Sequence, residues 1–235
     1  MVLLIVLVMC AFGCASLEGD LAGMLGKDRS GGSALDEQTV VAGLREALRI
    51  GTQNTVVSTS ALDGYLANEL IRIALPDQLR SAASTLRTVG LGAQVDELET
   101  GMNRAAELAA AEAREIFWNA IGSMTISDAF GILKGHDTAA TQYFEARTRA
   151  TLRERYQPIV HEKIGEIGLS RIYGRVADAY NSFAPAGSEP LVDLDDYVTE
   201  KALDGLFTIL GQEERKIRQD PLARTTDLLR RVFGS

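Results

Sequence analysis

Two groups of polar residues stand where a helix would ordinarily be apolar. Asn103, Arg104 and Glu107 lie in the alanine-rich stretch Met102-Asn103-Arg104-Ala105-Ala106-Glu107. Asn103 and Glu107 are four apart and share a helix face, so both can point into a groove between helices. The second group centres on Glu213. Val198, Ala202, Leu206 and Ile209 form a stripe at helical spacing, and extending it reaches Glu213 and then Ile217. A carboxylate there is costly unless paired, and Arg104 and Arg224 are candidate partners. Such a carboxylate beside an arginine that steadies an anion would be hydrolase chemistry, with Glu107 or Glu213 as base. The plainer account is that Glu213 marks the solvent edge of its stripe or joins a structural ion pair.

Thr138 and Thr141 begin a helix, where outward-pointing backbone N–H groups can hold an anion, although helix capping alone explains Thr138. Tyr143 aligns with Ala139, Ala146 and Ala150, which suits core packing. The two histidines are His136, after Gly135 at a helix end, and His161, in the polar string His161-Glu162-Lys163. Neither belongs to a metal-binding spacing, so capping and a solvated face are the expected roles. No G-x-S-x-G elbow, P-loop or dinucleotide fingerprint occurs. The sequence therefore assigns no catalytic residue, no metal and no cofactor.

The chain opens on the apolar run Val2 to Met9, followed by Gly13, Cys14, Ala15 and Ser16. That run is too short to span a bilayer, which takes about 20 residues, and suits the core of an export signal. Ala11-Phe12-Gly13-Cys14 resembles the lipobox of bacterial lipoproteins, with Ala11 where leucine is usual. Cys14 is the expected lipidation site and the only membrane connection. Both cysteines, Cys10 and Cys14, fall in this segment, so the rest of the chain has no disulfide and no thiol nucleophile. The net charge of −8 argues against a nucleic-acid partner, which requires a concentrated basic surface. The late cations Lys216, Arg218, Arg224, Arg230 and Arg231 interleave with Glu213, Glu214, Asp220 and Asp227, as on a solvated face.

Residues 1–14 thus read as signal, 15–35 as a Gly-rich tether, and 36–235 as one all-α, bundle-like domain of about eight or nine helices. Asp36 can cap a helix carrying Val40, Val41, Leu44, Ala47 and Leu48. Ile71 to Leu75 is an extended piece or a helix end. Pro76-Asp77 starts a helix that stops at Gly90. A long helix follows from Gln94 to Ile121, with Leu98, Met102, Ala105, Ala109, Ile116 and Ala120 on one stripe. Thr125-x-x-Asp128 is a capping box for a helix ending at Gly135. The next helix runs to about Gly168, with Pro158 as a kink or break. Leu169 to Phe183 continues helically, and Ala184 to Pro190 is a loop. Asp193 or Asp195 caps the helix of the Val198 stripe, and Asp220-Pro221 starts the last one.

Four segments together resemble the bacterial family called domain of unknown function 4197. They are Met102 to Glu107, Ala139 to Phe144, Lys201-Ala202-Leu203-Asp204-Gly205-Leu206-Phe207, and Ala223-Arg224-Thr225-Thr226-Asp227-Leu228-Leu229. Met124-Thr125 and Asp128-Ala129 add to them. The resemblance implies an exported helical protein of Gram-negative bacteria, often a lipoprotein, and brings no catalytic residue. Its motifs point to Asn103, Arg104, Thr141, Asp204 and Arg224 as polar residues that packing does not require. The expectation is a periplasmic envelope protein, anchored at the outer membrane through Cys14, that binds an envelope partner or small ligand without catalysis. The alternatives are the carboxylate-dependent hydrolase and an assembly factor with no pocket.

Overall fold

The computed structural model describes residues 37–166 and 192–223, with isolated positions between 168 and 178 and between 226 and 230. Seven α-helices occupy them: α1 (Glu37–Ser60), α2 (Arg80–Thr88), α3 (Gly92–Ala110), α4 (Ala113–Gly122), α5 (Ile126–Lys134), α6 (Ala139–Glu166) and α7 (Leu194–Gln219). Two 3-10 turns, Asp77–Leu79 and Pro221–Ala223, precede α2 and follow α7. No strand occurs among the described residues, and the protein is all-α. Among them no single helix is long and apolar enough to cross a membrane.

The ends follow local chemistry. Gly90 takes a φ of +86°, which a side chain would resist, and α2 stops just before it. Thr125 and Asp128 form the reciprocal capping box at α5. Asp193, not Asp195, accepts the Asp196 N–H at the start of α7.

Two expectations change, and a third that the sequence leaves open is decided. The Gln94–Ile121 helix is two, because the ladder is interrupted at Ala111 and Glu112 although both keep helical dihedrals at the caps of α3 and α4. Pro158 does not end α6, which runs through it. Leu152, Tyr156, Val160 and Ile164, all buried, pin both sides of the missing N–H. Ile71 to Leu75 is non-helical, with Ile71, Ile73 and Leu75 inward and Arg72 and Ala74 outward. Within the Leu169–Phe183 continuation the described positions 171, 173–175 and 178 are helical; its remaining positions, the Ala184–Pro190 loop, Cys14, the tether and Asp36 lie outside the described residues.

α3 is the central element and packs against α1, α2, α6 and α7. Ala105, Ala106, Ala109 and Ala110 are fully buried, and their small side chains let the neighbouring helices approach closely. Phe117 of α4 packs edge-on against Phe144 of α6 at 5.3 Å and Phe207 of α7 at 6.1 Å between ring centroids. α6 and α7 are joined along their polar sides by a ladder of charges. Arg149 reaches Glu145 (2.9 Å), Glu200 (2.7 Å) and Asp204 (2.7 Å), while Arg153 reaches Glu200 and Asp196 (both 2.8 Å). Burial opposes the charge on Glu200, but hydrogen bonds from Arg149 and Arg153 outweigh it and hold its pKa below the usual range.

The ladder ends at His161, whose Nδ1 lies 2.6 Å from Asp195. That hydrogen bond, then the Asp195 charge, raises the His161 pKa above its ordinary 6.5. A group with a raised folded pKa contributes stability that is complete below the unfolded value and fades as pH rises through the folded one. The expected NMR titration midpoint of His161 is therefore higher in the wild type than in Asp195→Asn. The stability difference between wild type and His161→Ala is therefore full below the ordinary 6.5 and shrinks as pH rises from there through the raised folded midpoint. Equal midpoints would remove the pair from this account.

Candidate functional site

The polar residues singled out in the sequence divide between two buried clusters and one open groove. The first cluster lies where α3 faces residues 61–76, a segment without α-helix. Asn103 is fully buried and treats this segment as a neighbouring strand would. Its Oδ1 accepts the Ile73 N–H at 2.8 Å, and its Nδ2 donates to the Ile73 carbonyl at 2.8 Å and to that of Glu99 at 2.7 Å. One turn on, Glu107 Oε1 accepts the Tyr65 and Leu66 N–H groups at 3.1 and 3.2 Å. Its Oε2 takes Arg104 at 2.6 Å, and Arg104 also holds Asp63 at 2.7 Å. Asp63 sits at a φ of 65°, the left-handed region. The shared face expected for Asn103 and Glu107 exists, but it is filled by the chain's own backbone. Both oxygens of Glu107 are engaged, so it could take a substrate proton only by giving up these bonds.

Tyr65 closes this cluster. Its hydroxyl donates to the Ala202 carbonyl at 2.6 Å, and burial, then the nearby Glu107 and Asp204 charges, push its pKa well above the ordinary range. A Cβ on Gly205 would stand 2.5 Å from Tyr65 Cε1 and 3.1 Å from Ile71 Cβ, so the close approach of α7 here requires glycine.

The second cluster holds the start of α6. Glu213 is not its centre. That residue keeps 13% of its side-chain exposure, accepts from Asn54 at 3.0 Å and pairs with Lys216. The buried carboxylate is the neighbouring Glu214, which the sequence reading missed. It accepts the N–H groups of Ala140 (2.9 Å) and Thr141 (2.8 Å), the Thr141 hydroxyl (2.8 Å), and Arg218 Nε (3.0 Å) and Nη2 (2.8 Å). Thr141 does stand at an anion-binding helix start, and the anion is internal. The adjoining cavity measures about 30 Å³, room for a water molecule only. Neither Arg104 nor Glu107 shares a contact with Glu213, so the expected convergence fails. Arg224 lies outside the described residues. His136 caps α6, accepting the Thr138 N–H at 3.3 Å.

The open groove, about 420 Å³, lies between residues 70–77 and α7. Arg72, Asp77, Arg80, Lys201, Asp204 and Thr208 line it. Tyr197 closes one side, its hydroxyl donating to the Ala74 carbonyl at 2.9 Å. Arg72 pairs with Glu99, Arg80 with Asp77, and Asp204 with Arg149. Lys201 has no carboxylate within ion-pair distance among the described residues and lies over the Tyr197 ring at 5.9 Å. Asn103 thus fixes one wall of the groove from inside at Ile73, Glu107 holds the same segment a few residues earlier, and Asp204 lies on the other wall. Among the described residues no group of three or more His, Cys, Asp or Glu is placed to hold a metal ion.

The model of the family described as protein of unknown function (DUF4197) matches residues 34–234. The chain belongs to this family. No curated protein and no solved structure matches it. The family match spans both clusters, the groove and the position of Arg224 in the sequence, and carries no activity with it.

Proposed function

We propose that this DUF4197 chain is an exported envelope protein that binds a partner or small ligand in the groove between residues 70–77 and α7, without catalysis. One observation carries the reading. The fold places a buried amide and a buried carboxylate, Asn103 and Glu107, to immobilise a non-helical surface segment, and that segment walls a polar groove. Burying such groups is costly unless every bond is made, and here the cost serves a surface. The groove's volume falls in the range of ligand sites. Its charges of both signs suit a polar partner, with Lys201 ready to take a carboxylate or phosphate. The export signal and lipidation at Cys14 belong to the same proposal.

In cells that express the full chain, a photo-crosslinking residue at Thr208 is expected to give one discrete adduct. The adduct should disappear in Lys201→Glu and be absent with the crosslinker at Gln53 on α1. A palmitate analogue should label the wild type and not Cys14→Ser. An adduct unaffected by Lys201→Glu would overturn the groove as the binding face. Label surviving Cys14→Ser, or missing from the wild type, would remove the anchor.

A further inference from the structure

A second groove, about 470 Å³, lies between α4 and α6. Its polar lining is Asn119, Ser123, Arg147, Thr148 and Thr151, and no lining residue is acidic. That is notable on a chain of net charge −8. The Thr148 hydroxyl is spent on the Phe144 carbonyl at 2.7 Å, and that of Ser123 donates to the Ala120 carbonyl at 3.1 Å with its lone pairs left over. Asn119 and Thr151 are exposed on the rim. Arg147 is 51% exposed and lies over the Tyr143 ring at 4.7 Å, a platform that holds the guanidinium plane. Asp128 is the carboxylate set against it, at 3.4 Å, and the other oxygen of Asp128 is committed to the Thr125 N–H and hydroxyl at 3.0 and 2.8 Å. Behind the groove, Arg45 of α1 donates to the Met124 carbonyl at 2.7 Å, next to Ser123. Its Nε is buried without a partner, and no carboxylate lies within ion-pair distance of Arg45 among the described residues.

We propose that this groove is an oxyanion site, in which Arg147 takes a phosphate or carboxylate group and Asn119 and Thr151 donate to it. A guanidinium binds such groups in bidentate fashion; the groove lining adds no carboxylate of its own, and Asp128, at 3.4 Å, is the one that an incoming oxyanion must displace from Arg147. The site is separate from the Lys201 groove, and the two stand or fall independently.

The test is a titration of the full chain with inorganic phosphate at low salt, followed by amide NMR. Saturable shifts are expected at Asn119, Ser123, Arg147 and Thr151. Thr151→Asp should weaken binding tenfold or more, as should Arg147→Gln, while Thr151→Ser and Arg153→Gln stay within about threefold of wild type. Circular dichroism melts show whether each variant is folded. A second arm compares sedimentation with phosphatidylglycerol and phosphatidylcholine vesicles. A preference for the anionic vesicles that vanishes in Thr151→Asp identifies a lipid headgroup as the source of the anion. Saturation by free phosphate alone identifies a soluble one. Absence of saturable shifts at the groove together with absence of a vesicle preference overturns the proposal. So does binding that is equal in wild type, Thr151→Asp and Arg147→Gln.

Discussion

Replacing Glu214 by alanine is expected to remove about 3–5 kcal/mol of folding stability, read as a shift of the urea midpoint at unchanged slope. The carboxylate is 8% exposed and ties α7 to the start of α6. It satisfies two N–H groups and a hydroxyl at the start of α6, and it orients Arg218. Arg218 in turn donates to the Ile132 carbonyl of α5 at 2.8 Å. Deleting the acceptor takes its Glu214 partner from a guanidinium only 12% exposed and leaves two buried N–H donors unsatisfied. That loss of pairing costs far more than the formation of an exposed ion pair returns. Glu214→Gln keeps one oxygen and turns an NH₂ toward donors, so a loss of about 1–3 kcal/mol is expected. Glu213→Ala, one residue earlier, should stay within about 1 kcal/mol. Equal effects at Glu213 and Glu214 would refute the assignment of the buried staple.

The second large effect is expected at Glu107. Glu107→Ala strips the acceptor from the Tyr65 and Leu66 N–H groups and breaks the pair with Arg104, at a cost of about 2–4 kcal/mol. The global number is less telling than its distribution. Amide exchange at Tyr65, Leu66 and Ile73 should accelerate well beyond that at Leu98 or Phe144, because the segment loses its fixings while the helices keep theirs. Asn103→Ala should show the same local signature, centred on Ile73. Uniform acceleration in both variants would mean that the two side chains support the core generally and do not serve the groove wall.

These two carboxylates also mark where sequence reasoning succeeds and where it stops. Periodicity located the inward stripes of α1 and α7, and Val40, Val41, Leu44, Val198, Ala202 and Leu206 are all buried. Cap chemistry located Thr125 and Asp128 and narrowed the start of α7 to Asp193 or Asp195, because those side chains act within one turn of their own backbone. Glu107 and Asn103 were recognisable as polar groups on an apolar helix, but their partners lie 30 and 42 residues away in the chain. No local pattern reports which backbone will fill a helix face. Glu214 escaped for a different reason. α7 is buried over a wide arc, so a second row, Leu203, Phe207, Leu210, Glu214 and Ile217, faces inward beside the first. Following a single stripe at fixed steps lands one residue short. The interruption at Ala111 and Glu112 has no signal either, since both are compatible with a continuing helix.

Tyr65 sets the order in which the molecule can be completed. Its hydroxyl bonds the Ala202 carbonyl, 137 residues further along the chain, and its ring packs at Gly205. A chain made or delivered from its N-terminus therefore carries a tyrosine whose hydroxyl and ring wait for α7 through most of its synthesis. Helices α1 to α6 can assemble from shorter-range contacts, but the wall beneath the Lys201 groove closes only when α7 arrives. Loop closure over such a span is slow compared with helix formation. The groove is thus expected to complete late in folding, and a chain cut short before α7 would lack the wall that carries Tyr197, Lys201 and Thr208.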